Sequence, residues 1–558
     1  MKALRLRAPL LWSLTLLSTG MLGGCEGPAG VPGVAGEDGA DGREGTDGED
    51  GADGINGVDG APGAPGLPGV AGVGAPGVSG RDGRETITPT ILSTGITRVG
   101  DASIVSLSAT GHDRLFGVTF DEEGNLFATG QVSADVDAAA DFSLLVAKFL
   151  PNGELDRRFG NDGVATKNVA IGGTSRELAR GVVVQSTGNV VIAGAVEHDP
   201  KAPGLLSADT DIVLLRFTID GVLDPTFGTG GVARIDLNTG VEGTNNNGDP
   251  ALVGGDSQWA LALGPDDRLI VHGTQRAEGF QAADAAAPRI DTDWALLRLT
   301  ADGALDTTFS GDGKVTLDIG EANASSRGIT LLPDGSVVAV GYTTSTALGV
   351  SSQQPVLYKV DVNGEFDATF ATADAIATPG VWHDFATDPA TPALGAEAYG
   401  AALQGDKFVT LGYGPTPGAG TATDWISLRF TATGERDLTY GQADGRTFLD
   451  PGGFGDNGRF VMVLPDERIL GVGVGRRSAA EQPERDAMVA VLSPEGMPDE
   501  SFAPGGFKLF DVGGDADHFW AGAISPRDAS QVAIVGISGG RTTGVNDDGG
   551  VLLLLPIE

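Results

Sequence analysis

Few residues in this 558-residue chain are of a type and spacing that could make or break bonds. Cys25 is the only cysteine, so no internal disulfide and no cysteine-rich zinc site can form. A lone thiol can still serve once as a nucleophile, for example in forming a thioether. Gly536-Ile537-Ser538-Gly539-Gly540 fits G-x-S-x-G, in which a strand-to-helix turn presents serine for acyl transfer. That chemistry needs a histidine later in the chain, and none follows His518. The motif also begins on a glycine that recurs along the chain, so Ser538 reads as a loop residue. Gly72-x-Gly74-x-x-Gly77 fits a dinucleotide fingerprint but has no strand–helix–strand context. The five histidines (His112, His198, His272, His383 and His518) show neither H-x-x-x-H nor H-E-x-x-H spacing. His383 falls on an expected strand, on the face opposite Trp382 and Asp384, and reads as a satisfied strand histidine. Trp259, Trp294, Trp425 and Trp520 sit at repeated strand positions and read as core. No catalytic, cofactor-binding or metal-ligating set is expected, and no cofactor. So acidic a chain leaves calcium as the alternative, although no D-x-[DN]-x-[DN]-G loop or tandem G-G-x-G-x-D nonapeptide occurs.

The elements around these residues begin with a leader. Lys2, Arg5 and Arg7 form a positive start and Ala8–Leu22 a short apolar run, too brief for a comfortable membrane span. Residues 1–24 therefore read as a secretory signal. Leu22-Gly23-Gly24-Cys25 resembles the lipobox of bacterial lipoproteins. The resemblance implies that Cys25 carries diacylglycerol through a thioether, becomes the new N-terminus and is acylated there. Several acyl chains, at about 0.8 kcal/mol per methylene, make a stable anchor where one does not. The expected location is the bacterial cell envelope, lipid-anchored, at the outer membrane on its surface or periplasmic face. A net charge of −39 argues against nucleic acid and against electrostatic docking on anionic lipid, which both require basic patches.

After the cysteine, glycine occupies every third position from Gly27 to Gly72, sixteen times, and resumes one residue out of phase at Gly74, Gly77, Gly80 and Gly83. The spacing resembles the collagen triple-helix repeat, in which only glycine fits at the common axis. Residues 25–85 thus read as a stalk, spanning on the order of 170 Å at about 3 Å per residue. Six prolines are fewer than collagen-like composition carries, and twelve acidic residues against three arginines would make three parallel copies repel. A homotrimer through the stalk and a single-chain acidic tether both remain open at this point. Residues 86–101 form a linker.

From residue 102 to 558 the chain repeats itself. "LVAKFLPNGELDRRFG" at 145, "VLLRFTIDGVLDPTFG" at 213 and "ALLRLTADGALDTTFS" at 295 have more degenerate copies at 356, 426 and 488. Each carries an apolar run, a turn glycine, an Asp three residues later (Asp156, Asp224, Asp306, Asp367, Asp437, Asp499) and an aromatic three after that (Phe159, Phe227, Phe309, Phe370, Tyr440, Phe502). A preceding strand ends in Gly130, Gly194, Gly273, Gly341, Gly412, Gly473 and Gly536, seven copies at intervals of 61 to 79 residues. Two short hairpins per repeat predict a solenoid or propeller. The seventh copy lacks its fourth strand, while Ala102–Gly111 is an unassigned strand ahead of the first. This predicts an all-β, seven-bladed β-propeller closed one-plus-three. The repeated line resembles the delta-60 repeat found in tandem in bacterial surface proteins, a family with no settled activity. The repeated residues read as structural: glycine permits positive φ, Asp caps an Asx turn, and the aromatic fills space between blades.

Long connections at 197, 238, 276 and 378 all emerge on one face, around the second to fourth repeats. Insertions gathered on one side of a rigid ring predict an interaction or adhesion module whose partner is a protein or glycan on that face. The alternatives are a polysaccharide hydrolase or lyase using the central funnel, and a purely structural trimer.

Overall fold

The computed structural model describes residues 3–5, 95–99, 102–107 and 112–557, apart from connecting segments 134–141, 170–176, 199–209, 373–379, 384–394, 416–422, 477–484, 540–548 and some shorter ones. The leader apart from residues 3–5, Cys25 and the Gly-x-y stalk lie outside the described residues.

The described chain is all-β and forms a seven-bladed propeller. Each blade is an antiparallel sheet whose strands follow chain order from the axis outward. Innermost strands are Asp113–Phe120, Leu178–Val184, Ser257–Leu263, Asn323–Leu331, Glu397–Gln404, Asn457–Val463 and Asp517–Ile524. Blade seven takes its outer strand from the other end of the propeller sequence. Ala102 pairs with Leu553 and Val105 with Gly550, so the ring closes one-plus-three. Arg527 of blade seven also donates from Nε to the Glu122 carbonyl of blade one at 2.9 Å. Gly95–Val99 extends the outer edge of blade seven, and Ala3–Arg5 that of blade three.

Strands two and three of most blades read as near-continuous apolar runs because both of their faces are covered. Seven hydrophobic cores result, each shared by neighbouring blades. One joins Phe127 and Val146 of blade one to Ile192 and Val213 of blade two, and the last joins Val535 and Leu552 of blade seven to Leu115 and Leu145 of blade one. Trp294 and Trp425 are buried in two of these cores.

The repeated Asp residues brace the turn within each of six blades, and the repeated aromatic residues lock blade to blade. Asp224 Oδ1 accepts from the Thr226 N–H at 3.0 Å, and its other oxygen holds Arg216 Nε at 2.8 Å. Blades three and five use Asp306 with Arg298 and Asp437 with Arg429 in the same way; blade four pairs Asp367 with Lys359, at 2.8 Å, in place of an arginine. Asp156 has Lys148 at 3.6 Å, and Asp499 is reached by Arg468 at 3.2 Å. The Phe227 ring lies beneath Gly303, the turn glycine of the next blade, where a Cβ would stand 2.7 Å from the ring. Phe159, Phe309, Phe370 and Tyr440 meet Gly221, Gly364, Gly434 and Gly496 alike. Phe502 packs half-buried against the core between blades six and seven.

Two sequence expectations need correction. Ser538 is the buried last residue of the strand Gln531–Ser538, because its glycine motif is the end of a repeat strand and not a turn. Two of the long connections fold into hairpins of their own: Val241–Thr244 pairs with Pro250–Val253, and Phe280–Gln281 with Asp284–Pro288.

Candidate functional site: a cationic, aromatic ring in the axial channel

Each innermost strand breaks register once. The shifts fall between Leu115 and Gly117, Ala179 and Gly181, Gln258 and Ala260, Ser326 and Ile329, Ala398 and Gly400, Gly458 and Phe460, and Phe519 and Ala521. A bulge leaves one residue unpaired and re-aims it. Those residues are Phe116, Arg180, Trp259, Arg327, Tyr399, Arg459 and Trp520, one from each blade, and all seven line the channel along the propeller axis. Around the ring, aromatic and arginine alternate except where Trp520 meets Phe116.

The seven repeated strand glycines make these bulges fit. Gly130, Gly194, Gly273, Gly341, Gly412, Gly473 and Gly536 pair with the residue just before each bulge. A Cβ on Gly130 would lie 1.8 Å from the Arg114 carbonyl oxygen, and one on Gly412 would lie 1.7 Å from that of Glu397. After the bulge, Gly117 and Gly181 let adjacent inner strands approach. A Cβ at Gly117 would meet the Arg180 carbonyl at 2.2 Å.

Within a cavity of 370 Å³ the three guanidinium groups stack on the aromatic rings. Arg180 lies 4.0 Å from the Trp259 ring centre and 5.8 Å from that of Phe116. Arg327 lies 3.9 Å from Trp259 and 4.3 Å from Tyr399. Arg459 lies 4.5 Å from Tyr399 and 4.8 Å from Trp520. Trp520 closes the ring edge-on to Phe116 at 5.4 Å.

Hydrogen bonding leaves much of this donor capacity unspent. Arg327 donates to the Ser326 carbonyl at 2.8 Å and the Tyr342 hydroxyl at 3.2 Å, and has Glu397 Oε2 at 3.5 Å. Arg459 reaches the Asn457 side-chain carbonyl at 3.2 Å in the amide orientation that satisfies both groups. Arg180 has no hydrogen-bond or ion-pair partner among the described residues. The Nε–H of all three arginines is buried without an acceptor. Burial, reinforced by the like charges of Arg327 and Arg459, pulls Arg180 down to about 10, still protonated at neutral pH. Burial pushes the Glu397 carboxyl up, against the pull of Arg327. His272, fully buried behind Arg327, bonds through Nδ1 to the Arg327 carbonyl at 3.2 Å, and burial lowers it to about 4, so it is neutral.

The channel is thus an electropositive spot in a chain of net charge −39. Its arginine forks can grip carboxylate or sulfate oxygens, and its rings can stack on an apolar or sugar face. The sequence reading placed Trp259 and Trp520 in the core, but they line this channel. The arginines were not singled out, although a signal was present. The ring residue stands fourteen positions before the repeated glycine in five blades, thirteen in blade five and sixteen in blade seven. The repeated Asp, aromatic and glycine residues are brought not to one site but around the whole ring, as structural fastenings. His383 sits on the outer strand Val381–His383 of blade four.

The family model described as the collagen triple helix repeat (20 copies) matches residues 22–86. That of a domain of unknown function, the DUF5122 β-propeller, matches residues 290–309 and 332–370. The chain carries collagen-type repeats followed by propeller repeats of this kind. No curated protein matches it. Among solved structures, a protein of unknown function from Dyadobacter fermentans is 13% identical, with 83% of this chain and 99% of that one covered and a TM-score of 0.41. The β-propeller domain of the Trilobed protease from Pyrococcus furiosus is 7% identical, covering 80% of this chain and 95% of that one, with a TM-score of 0.35. A PL25 ulvan lyase bound to a glucuronate–sulfated rhamnose unit is 9% identical, covering 68% and 78%, with a TM-score of 0.36.

Proposed function

We propose that this protein is a lipid-anchored binding module of the bacterial cell envelope, and that its axial channel takes an acidic glycan. Cys25 supplies the anchor, the Gly-x-y stalk the spacer, and the propeller the receptor. The observation that carries the ligand class is the set of three guanidinium groups in the channel, Arg180, Arg327 and Arg459, each with a buried Nε–H that lacks an acceptor, and with one carboxylate, Glu397, 3.5 Å from Arg327. Buried charge without a partner is costly, and an anion bearing carboxylates or sulfates would satisfy the unspent N–H donors. Stacked aromatics favour a ring-shaped, partly apolar ligand body over a small inorganic anion. The inner strands start at the loop-rich face and the ring residues are their third to fifth, so a ligand arriving from that face meets the ring first.

Binding is favoured over hydrolysis because Glu397, beside the ring, is held near Arg327 and no second carboxylate stands among the described channel-lining residues, whereas glycoside hydrolysis uses a carboxylate pair. One contact favours a second reading, a lyase: Tyr342 Oη lies 3.2 Å from Arg327, so a uronate carboxylate held by the arginine would sit near a phenolic base. The test is a panel of oligogalacturonate, a sulfated glycan, neutral dextran and polyglutamate, read by calorimetry and by absorbance of the unsaturated uronate that elimination creates. Retention of the acidic glycans alone, without absorbance growth, supports binding. Retention of polyglutamate alone, or of none, contradicts it.

A further inference from the structure

A second charged site lies away from the channel, where blade five meets blade six. Asp424 is the second residue of the strand Thr423–Phe430, Asp450 follows the outer strand Arg446–Leu449, and Asp456 precedes the innermost strand of blade six. One carboxylate oxygen from each lies within 4.8 Å of the others. Asp424 is wholly buried, and neither of its oxygens has a hydrogen-bond partner. Asp456, also wholly buried, accepts from the Arg476 backbone N–H at 2.8 Å through Oδ1, while Oδ2 has no partner.

The same chain shows how this position is neutralised elsewhere. In blade two the equivalent of Asp424 is Asp211, also second in its strand. It accepts from Arg234 Nε and from His198 Nδ1 at 2.8 Å. In blade three the equivalent is Asp293, and Arg289 lies 3.6 Å from it while also binding Asp291 and, at 2.7 Å, Asp318. Blade five has lost both devices. Strand register places Phe448 where blade two has Arg234, and the connections 416–422 and 451–455 contain no lysine or arginine. The acid heading the innermost strand differs in the same way. Asp113, Glu177, Asp256 and Asp517 accept from the backbone N–H of Leu107, Val169, Leu237 and Val512, just past the preceding blade's outer strand. Asp456 instead bonds to Arg476 and offers its second oxygen to the cluster. Arg476 and Arg485 are near enough to attract Asp456, but Arg476 gives it only its backbone N–H, and the Arg476 Nε–H has no acceptor.

We propose that Asp424, Asp450 and Asp456 bind a hard divalent cation, Ca²⁺, which takes the place that Arg234 fills in blade two and Arg289 in blade three. Oxygen-only, all-carboxylate donors are the set that Ca²⁺ selects, with water or backbone carbonyls completing six to eight ligands. The bound ion ties the end of blade five to the start of blade six on the loop-rich face, independently of any ligand in the channel.

The test uses the folded protein stripped with EGTA. Calcium is titrated by calorimetry, and Tb³⁺ is titrated by luminescence sensitised through Trp425, the neighbour of Asp424. One ion per chain is expected, with a rise in melting temperature on adding Ca²⁺. Asp450→Asn, a change at an exposed residue, should weaken binding at least tenfold without altering the metal-free melt. Asp424→Asn should abolish the calcium-dependent rise and stabilise the metal-free protein, since it removes an uncompensated buried charge. Asp236→Asn, at the matching place in blade two, should leave the calcium response intact. A melt indifferent to calcium, or a response unchanged in Asp424→Asn and Asp450→Asn, would overturn the site.

Discussion

Gly412 and Glu397 stand so close across two strands of blade five that a Cβ on the glycine would lie 1.7 Å from the Glu397 carbonyl oxygen. The contact sits beside the bulge that turns Tyr399 into the axial channel, and Glu397 is the carboxylate facing Arg327. Gly412→Ala must push the two strands apart, and overpacking of this kind costs about 1–3 kcal/mol. The expected outcome is a lower denaturation midpoint together with a changed environment for Tyr399, read from near-ultraviolet circular dichroism. An unchanged spectrum would show that the glycine does not set the bulge.

The Asp–Arg fastenings are a separate source of stability. Arg216 and Asp224 are both largely buried at 2.8 Å, and the guanidinium also donates to the carbonyl of Ala301 on blade three at 2.9 Å. Asp224→Ala leaves the buried Arg216 with only the exposed Asp302, at 3.1 Å, as an ionic partner, a loss of up to about 3 kcal/mol. Asp156→Ala should cost less, because its partner Arg158 is exposed and Lys148 is 3.6 Å away. Chemical denaturation of the two variants side by side gives the order; equal losses would contradict it.

Stability should have an acid limit and, between about pH 4 and 7, an opposing slope, set by different carboxylates. Hydrogen bonds from Thr308 and the charges of Arg298 and Arg268 outweigh burial and hold Asp306 down at about 2. Its contribution is full above the ordinary aspartate range and is lost as pH falls from about 4 to about 2. Asp517 behaves oppositely: burial, with Asp511 and Asp486 adding to it, raises it to about 7. The folded state then holds a proton that the unfolded chain has released, so this residue's contribution falls as pH rises from about 4 to about 7, by at most about 1.4 kcal/mol per pH unit, and levels off above. Subtracting the pH–stability curve of Asp517→Asn from that of the wild type should isolate this slope. A flat difference would contradict it.

The ring was legible in the sequence to the extent that one residue type recurred. Gly130 through Gly536 and Asp156 through Asp499 are invariant or nearly so because every blade needs the same close approach and the same turn. Their period, with Ala102–Ser106 completing blade seven, carried the fold. The channel was hidden for the opposite reason. Its residue changes from Phe116 to Arg180 to Trp259 around the ring, so only its spacing before the repeated glycine, and not its type, marks the bulge that turns it inward. The Asp424 cluster was hidden because its three members are separated by 26 and 6 positions, on a strand of blade five, just after that blade's outer strand and just before blade six. Only the sheet register shows that Arg234 has been replaced there by Phe448.

Salt should separate the channel from the rest of the surface. Acidic-glycan binding rests on Arg180 and Arg459, so affinity should fall as ionic strength rises, less steeply than for fully exposed charges because the guanidinium groups are screened by protein. Arg459→Lys keeps the charge but loses the fork, and should bind at least tenfold more weakly, since lysine does not reproduce bidentate recognition. Equal affinity for Arg and Lys would mean that charge alone is read.

The most direct measurement is a calorimetric titration of oligogalacturonate into the propeller protein and into Arg180→Gln/Arg459→Gln, with folding of the variant checked by its melting transition. The account predicts one saturable site per chain in the wild type and none in the folded double variant. Equal binding by both proteins would contradict it, because the ligand would then be held somewhere other than the ring.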